Sequence, residues 1–290
     1  VAKAIGVILS GGKSRRFKKD YLENFDKALF EINGIPMILR IYDTLKRIVD
    51  EIVVSIESKD KIDKYREYVD VDYFILDKHV FEGPLDGIYS CLNELKAEIL
   101  LFVPNDMPFI TDKLLTIIID KSLDYGLVSP ILPNGLIETS IIGMNKNVLH
   151  DYIHLLTEWK RAKIADLHRA VPNVYLVDPV TNNIPPSTFT NINRPEDAEK
   201  RVSCYPDGPI EKDIVIDREF SIEDVSRKNM EKIKFSLWNT LYTGDPYNEF
   251  KYYLDRGLYM LAAYTLMDSD NIFLIHLGKN IIKSLGIQKN

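Results

Sequence analysis

Apolar residues gather in short, nearly unbroken runs at 4–9, 52–56, 73–76 and 99–103. Runs of this length and composition predict strands covered on both faces of a sheet. Between them, residues 36–48, 59–68 and 84–95 carry helical patterns. The alternation predicts βαβ units, hence an α/β fold of three layers around a mostly parallel sheet. Ligands of such sheets bind beyond the carboxyl ends of the strands, where the strand order reverses. The residues just after each apolar run are therefore the first to inspect for chemistry.

Further along, a helix is expected over 112–123 with Thr111 as its cap, then two strands, 125–132 and 135–143, joined through Pro133-Asn134-Gly135. Asn-Gly is the favoured hairpin turn. Helices over 145–157 and 160–169 and a strand over 174–177 follow. From about residue 203 the texture changes: Tyr205-Pro206-Asp207-Gly208-Pro209 reads as a linker, and 213–216 as one short strand. Helices are then expected from a Ser221 cap to about 242, over 245–267, and over 271–285 with Gly286 at the end. The predicted organisation is a first domain over 1–202 and a smaller, mainly helical accessory domain over 203–290.

Bulk properties narrow the function classes. A chain of 290 residues with 46% apolar and 28% charged positions has the composition of an ordinary folded protein, and its length favours two unequal domains. A net charge of -6 argues against a dedicated nucleic-acid binder, since backbone affinity is cationic, so the expected ligand is small. No apolar run of about 18 residues exists, and the amino-terminal run ends in glycines rather than a cleavage site, so no membrane association is expected and a cytoplasmic location is. Cys91 and Cys204 are the only cysteines and form no C-x-x-C pair, which leaves neither a disulfide framework nor a cysteine zinc site.

The first strand runs into Leu9-Ser10-Gly11-Gly12-Lys13-Ser14-Arg15-Arg16. Glycine lets a ligand lie against the backbone, and amides beside three cations read as a polyphosphate cradle; a tight turn beside a solvated basic face is the plainer alternative. The loop is neither G-x-G-x-x-G nor a Walker-type loop. Lys27 stands where chain structure resumes and is placed to reach over phosphates, or else to pair with Asp26. Gly83 followed by Pro84 is a sound helix start, and it also offers backbone groups to a ribose or base. In Pro104-Asn105-Asp106-Met107-Pro108, two prolines restrain a carboxylate at a strand's carboxyl end. Such a carboxylate suits magnesium, which takes one or two carboxylates plus phosphate oxygens, and a turn cap is the competing role. Asn193 has the position of a helix cap ahead of Pro195, whereas Asn191 has no such duty. Lys160, Arg161 and Lys163 read as a basic helix face or as a receiver for a second anion. His150 and His154 lack the His-Glu-x-x-His base, and Asp268 and Asp270 lack the glycine and glutamate of a calcium loop. Tyr242, Tyr247, Tyr252, Tyr253, Tyr259 and Tyr264 read as core and helix contacts, with partner recognition as the alternative.

Taken in order, the glycine loop, Asp26-Lys27, Gly83-Pro84-Leu85-Asp86-Gly87, Pro104-Asn105-Asp106-Met107-Pro108 and Asn191-Ile192-Asn193-Arg194-Pro195-Glu196-Asp197 resemble the molybdenum cofactor guanylyltransferases over residues 1–202. That resemblance implies a Rossmann-like nucleotidyltransferase domain. It implies that Leu9, Ser10, Gly11 and Gly12 line the nucleotide, Arg16 and Lys27 hold its phosphates, Asp77 and Gly83 approach ribose and base, Asp106 binds Mg2+, and Asn191 and Asn193 stand at the reacting end. The implied substrates are GTP and a molybdopterin-type phosphate acceptor, and the helical end is left for a protein partner or a homodimer. This chain departs from the pattern at several points. Ser10 replaces an alanine, Phe17 a methionine and Asn105 a cysteine; the loop 17–26 is longer than usual, and Glu138-Thr139-Ser140 stands for a His-Pro-Thr. A cytidylyl, sugar-phosphate or cobinamide-phosphate transferase, or a silent nucleotide sensor, stays open beside the guanylyl reading.

Overall fold

The computed structural model describes residues 3–11, 26–81, 83–161, 163–217 and 246–286. Gly12, Arg16 and the helix expected over 221–242 lie outside these residues. The strands are β1 (Ala4–Ser10), β2 (Glu31–Ile32), β3 (Ile35–Pro36), β4 (Glu51–Ile56), β5 (Tyr73–Leu76), β6 (Ile99–Pro104), β7 (Leu127–Pro130), β8 (Ile142–Asn145), β9 (Asn173–Val177) and β10 (Ile214–Asp217). The helices are α1 (Met37–Leu45), α2 (Asp60–Arg66), α3 (Pro84–Glu94), α4 (Asp112–Ser122), α5 (Lys146–Glu158), α6 (Ile164–Ala170), α7 (Pro246–Leu254), α8 (Tyr259–Met267) and α9 (Ile272–Ser284).

Eight strands form one sheet in the order β10-β9-β7-β8-β6-β1-β4-β5, and β2 with β3 makes a separate small ribbon. β1 lies between β4 and β6 and is parallel to both; β5 continues the parallel run, and β8 and β10 are antiparallel to their neighbours. All seven residues of β1 are buried. Side chains alternate across its pleat, so Ile5, Val7 and Leu9 enter one core and Ile8 the other. On the first face α3, α5, α6 and α8 pack through Ile88, Ile153, Leu167 and Leu261; on the second, α1 and α4 pack through Ile41 and Ile118. Fully burying each such aliphatic side chain contributes roughly 1.5–3 kcal/mol. The chain runs from β1 through β4 to β5 on one side, then crosses to β6 on the other. Such a reversal, here between β1 and β6, is where ligands of open parallel sheets bind.

Three local expectations differ from what forms. The expected hairpin is short: β7 and β8 pair at Leu127↔Met144 and Val128↔Gly143, with one isolated bridge, Ile131↔Ile137, nearer the turn. The Asn134-Gly135 turn is instead held by the later chain, since Ile210 N donates to Pro133 O and a Cβ on Gly135, at φ 81°, would strike Gly257 O. The helix expected over 245–267 breaks into α7 and α8, because Gly257 takes φ 70° and ends the first piece. Lys160, at φ 54°, ends α5, so α6 starts only at Ile164. Thr111 occupies the cap position of α4 without a side-chain cap bond, and its buried Oγ1 has no partner among the described residues.

Beyond residue 202 the chain first supplies β10 to the sheet edge and then packs Tyr253, Leu258 and Leu261 into the core cluster that covers the first face. Tyr252, Tyr259 and Tyr264 pack around that cluster, whereas Tyr247 is exposed. Among the described residues, no helix is long and apolar enough to cross a membrane.

Candidate active site

Lys27 opens a short 3-10 turn, Lys27–Leu29, capped by Asp26, whose Oδ1 accepts from Ala28 N. The side chain of Lys27 is directed inward, at 8% exposure for the residue. Its Nζ donates to Asp106 Oδ2 at 2.8 Å and to Asn193 Oδ1 at 2.9 Å. The ammonium thus pairs with Asp106 rather than with the neighbouring Asp26. Asp106 stands two residues past the end of β6, where Asn105 N still bonds Leu9 O at 3.2 Å. Its carbonyl accepts from Ile192 N at 2.9 Å, which ties the proline-flanked loop to the asparagine pair.

Asn193 does not cap the short helix Pro195–Ala198. Asp197 closes that turn by accepting from the amides of Asn193 and Arg194, and the Asn193 side chain is left to meet Lys27. Asn191 is exposed, one residue before the buried Ile192.

A second group gathers at the ends of β1, β4 and β5. Asp77 follows β5, and its Oδ1 accepts from Ser55 Oγ of β4 at 2.6 Å. A Cβ on Gly11 would lie 2.4 Å from Asp77 Oδ2, so a larger residue there would have to push this carboxylate aside, and the first loop residue rests directly on it. Gly83 has φ 76° and ψ −157°, a conformation open to glycine, at the start of α3. The loop ahead of it is fastened by Asp86, a buried carboxylate that accepts from the amides of His79, Val80 and Phe81 at 2.8–3.0 Å. The sequence offered Asp86 only as a motif member; its role depends on a loop shape that no local pattern announces.

Burial pushes the Asp77 carboxyl above the ordinary carboxylate range, against the Ser55 hydrogen bond and with help from the charge of Asp86. Folding therefore favours the protonated acid, and its contribution to stability is complete below the unfolded pKa and lost as pH rises through the folded one. Asp77→Asn, which can still accept from Ser55, is expected to melt above the parent near pH 7 and to lose that advantage near pH 3. Thermal melts at the two pH values check the sign.

Two further side chains carry environments that the sequence did not announce. Tyr65 on α2 is fully buried and bonds both Ser10 Oγ, at 2.6 Å, and Asp26 Oδ2, at 2.8 Å. Burial, aided by the Asp26 charge, raises its pKa far out of reach, so the phenol keeps its proton. Glu138 is the other. The β6–β8 register pairs Phe102 with Ile142, and ahead of it Glu138 Oε1 accepts from the amide and the hydroxyl of Ser140. Burial, with a smaller contribution from the Asp106 charge, holds the Glu138 carboxyl above its usual range, against hydrogen bonds from Ser140.

The basic cluster at 160–163 lies elsewhere. Arg161 meets Asp166 and Asp268 at 2.6 and 2.7 Å, and Lys163 lies 4.7 Å over the Tyr264 ring, so these cations serve packing against the carboxyl-terminal helices. The rings of His150 and His154 pack edge to face, and no group of three metal-ligating side chains occurs among the described residues.

Comparison with known proteins gives a consistent picture. The family model described as the MobA-like NTP transferase domain matches residues 6–165. A probable molybdenum cofactor guanylyltransferase of Pyrococcus horikoshii is 31% identical over 206 residues, covering 67% of this chain and 97% of its own. A molybdenum cofactor guanylyltransferase of Shewanella putrefaciens is 32% identical over 200 residues, covering 67% and 93%. Among solved structures, the molybdopterin-guanine dinucleotide biosynthesis protein A of Archaeoglobus fulgidus superposes with TM-score 0.53 at 17% identity, over 68% of this chain and 95% of that one. The 4-diphosphocytidyl-2C-methyl-D-erythritol synthase of Anaerococcus prevotii gives 0.51 at 16%, over 69% and 94%. Those two likenesses concern the fold; the sequence matches concern descent. The chain belongs to the MobA-like NTP transferases and is a nucleotidyltransferase of the molybdenum cofactor guanylyltransferase kind.

Proposed function

We propose that the protein moves GMP from GTP onto the phosphate of a molybdopterin-type acceptor with the help of Mg2+. An oxygen of the acceptor phosphate attacks the α-phosphorus, the bond to the bridging β-oxygen breaks, and pyrophosphate leaves. The observation that carries the reading is Lys27 held between Asp106 and Asn193 at the mouth of the parallel strands. A phosphate monoester is already largely ionised near neutral pH, so no side-chain nucleophile is required.

The chain's part is placement and charge. Lys27 offers the triphosphate an ammonium that two acceptors keep in one position, which stabilises charge gathering on the departing pyrophosphate. Arg16, from the same loop in sequence, is assigned a second cation's duty. Leu9, Ser10, Gly11 and Gly12 offer backbone to the nucleotide, and Asp77, seated on Gly11, is assigned the ribose, with Gly83 beside the base. Asn191 and Asn193 are assigned to the reacting end. Hard carboxylate oxygen is the donor that magnesium prefers, and Asp106 offers it. Bound there, the metal would supply Lewis-acid polarisation of the phosphate oxygens.

The test is pyrophosphate release with molybdopterin and Mg2+, comparing the four ribonucleoside triphosphates. GTP is expected to exceed the others by at least about tenfold. Equal use of CTP, or turnover with a sugar phosphate in place of molybdopterin, would remove the guanylyl assignment.

A further inference from the structure

The phenol of Tyr65 has one proton and two polar neighbours. Asp26 can only accept, so that proton points to Asp26 Oδ2, and Ser10 Oγ must donate to the phenol oxygen. Ser10 Oγ in turn accepts from Asn105 Nδ2 at 2.8 Å. The result is a one-way relay, Asn105 to Ser10 to Tyr65 to Asp26, with every direction set by one carboxylate. Ser10 and Tyr65 are fully buried, and the Asp26 side chain is 8% exposed. Each end of the relay is one peptide bond from a residue of the candidate site: Asn105 precedes Asp106, and Asp26 precedes Lys27. The Lys27–Asp106 pair closes the circuit into a ring.

α2 supplies a second bond to each side of the glycine loop. Lys61, one turn before Tyr65, donates to Ser10 O at 3.0 Å and lies 3.5 Å from Asp26 Oδ2. Residues 10 and 26, which bracket the loop in sequence, are thus fastened to the same two side chains. The two departures from the family pattern at Ser10 and Asn105 are explained together, since each side chain is the other's hydrogen-bond partner. An alanine and a cysteine could not form this link.

We propose that Tyr65, with Ser10 and Asn105, is a positioning element that sets the Lys27–Asp106 pair for nucleotidyl transfer. The inference rests on the nucleotidyl-transfer reading, not on the identity of the base. Buried hydrogen-bond chains polarise one another and stiffen what they join, and displacing a reacting group by a fraction of an ångström is costly to the transition state. The relay runs through the buried side chains of Ser10 and Tyr65, not through the backbone offered to the nucleotide, so its loss should act on turnover more than on binding.

The test compares the parent with Tyr65→Phe, Ser10→Ala and the double variant, using whichever of the four triphosphates the parent turns over. Tyr65→Phe keeps the buried ring and removes only the oxygen, and Ser10→Ala removes only a hydroxyl. Each single variant is expected to lower kcat for pyrophosphate release on the order of tenfold with KM for the triphosphate within about twofold. The double variant is expected to lose no more than the worse single, because both break one relay. A Tyr65→Phe protein with parental kcat, or losses that multiply in the double variant, would overturn the inference while leaving the transferase reading standing. A parent that turns over none of the four would sink both.

Discussion

Asp106→Asn is expected to lower pyrophosphate release by roughly a thousandfold or more while the melting temperature drops only a few degrees. Asparagine has the same shape as aspartate, and its Oδ1 can still accept from Lys27, so the contact observed at 2.8 Å keeps a partner. What disappears is the negative charge. In the parent, Asp106 holds the ammonium of Lys27 in place, and in the proposed reaction it would also offer hard oxygen to Mg2+. On the proposed reading, losing that charge would remove a ligand to a Lewis acid worth several kcal/mol of transition-state stabilisation, and about 4 kcal/mol corresponds to the thousandfold. Initial-rate assays at saturating GTP and a thermal melt on the same preparations measure the two halves of the expectation. A variant with undiminished turnover would show that the cation is held elsewhere. A variant that has simply unfolded would reveal itself in the melt, and its rate would then say nothing of the metal.

The sheet and the mouth of the site were legible because buried parallel strands write themselves as continuous apolar runs, and the residues after such runs sit where ligands bind. β1, β4, β5 and β6 follow the expected runs closely, and Lys27 and Asp106 do meet although 79 residues separate them in sequence. The relay through Tyr65 was not legible. Tyr65 and Ser10 are 55 residues apart, and a tyrosine on an amphipathic helix has the same local pattern whether its hydroxyl meets a carboxylate or water. Asn193 shows a different limit. Its position satisfies the rules for a cap, but Asp197 closes the turn by accepting from the amides of Asn193 and Arg194, and the asparagine side chain meets Lys27 instead. Where the expected hairpin and the long helix failed, Gly135 and Gly257 lie in backbone contact with each other, a constraint written in neither segment alone. The basic run at 160–163 was legible as charge and illegible as purpose, because its acidic partner Asp268 lies more than a hundred residues on.

That partnership also sets the largest expected loss of stability. Arg169→Ala is expected to destabilise the fold by about 3–5 kcal/mol. Arg169 is 1% exposed, grips both oxygens of Glu249 at 2.9 Å, and reaches Asp268 Oδ2 through Nη1. Arg161 and Asp166 complete the cluster, so two guanidinium groups stand among three carboxylates. Replacing such a cluster with well-packed apolar side chains can be neutral, whereas removing its fully buried member leaves partly buried carboxylates with fewer partners. Alanine at 169 leaves Glu249 without its fork and Asp268 with Arg161 alone. For a chain of this size, each kcal/mol moves the melting temperature by roughly 2–4 °C, so the midpoint should fall by roughly 6–20 °C. The pH dependence has a definite sign. Burial would raise the pKa of Asp268, but hydrogen bonds and charge from Arg161 and Arg169 outweigh it and leave the carboxyl below its usual range. A depressed folded-state pKa gives stability that is present above the unfolded pKa and lost as pH falls through the folded one. The gap between parent and variant should therefore be widest near neutral pH and narrow as acid protonates Asp268 in both. Because Tyr253 of α7 and Leu261 of α8 share a core cluster with Val7 and Phe102 of the sheet, the weakened variant should still unfold in a single transition. An early, separate melt of the carboxyl-terminal helices would instead mean that this ionic cluster, and not the shared apolar core, is what holds them to the sheet.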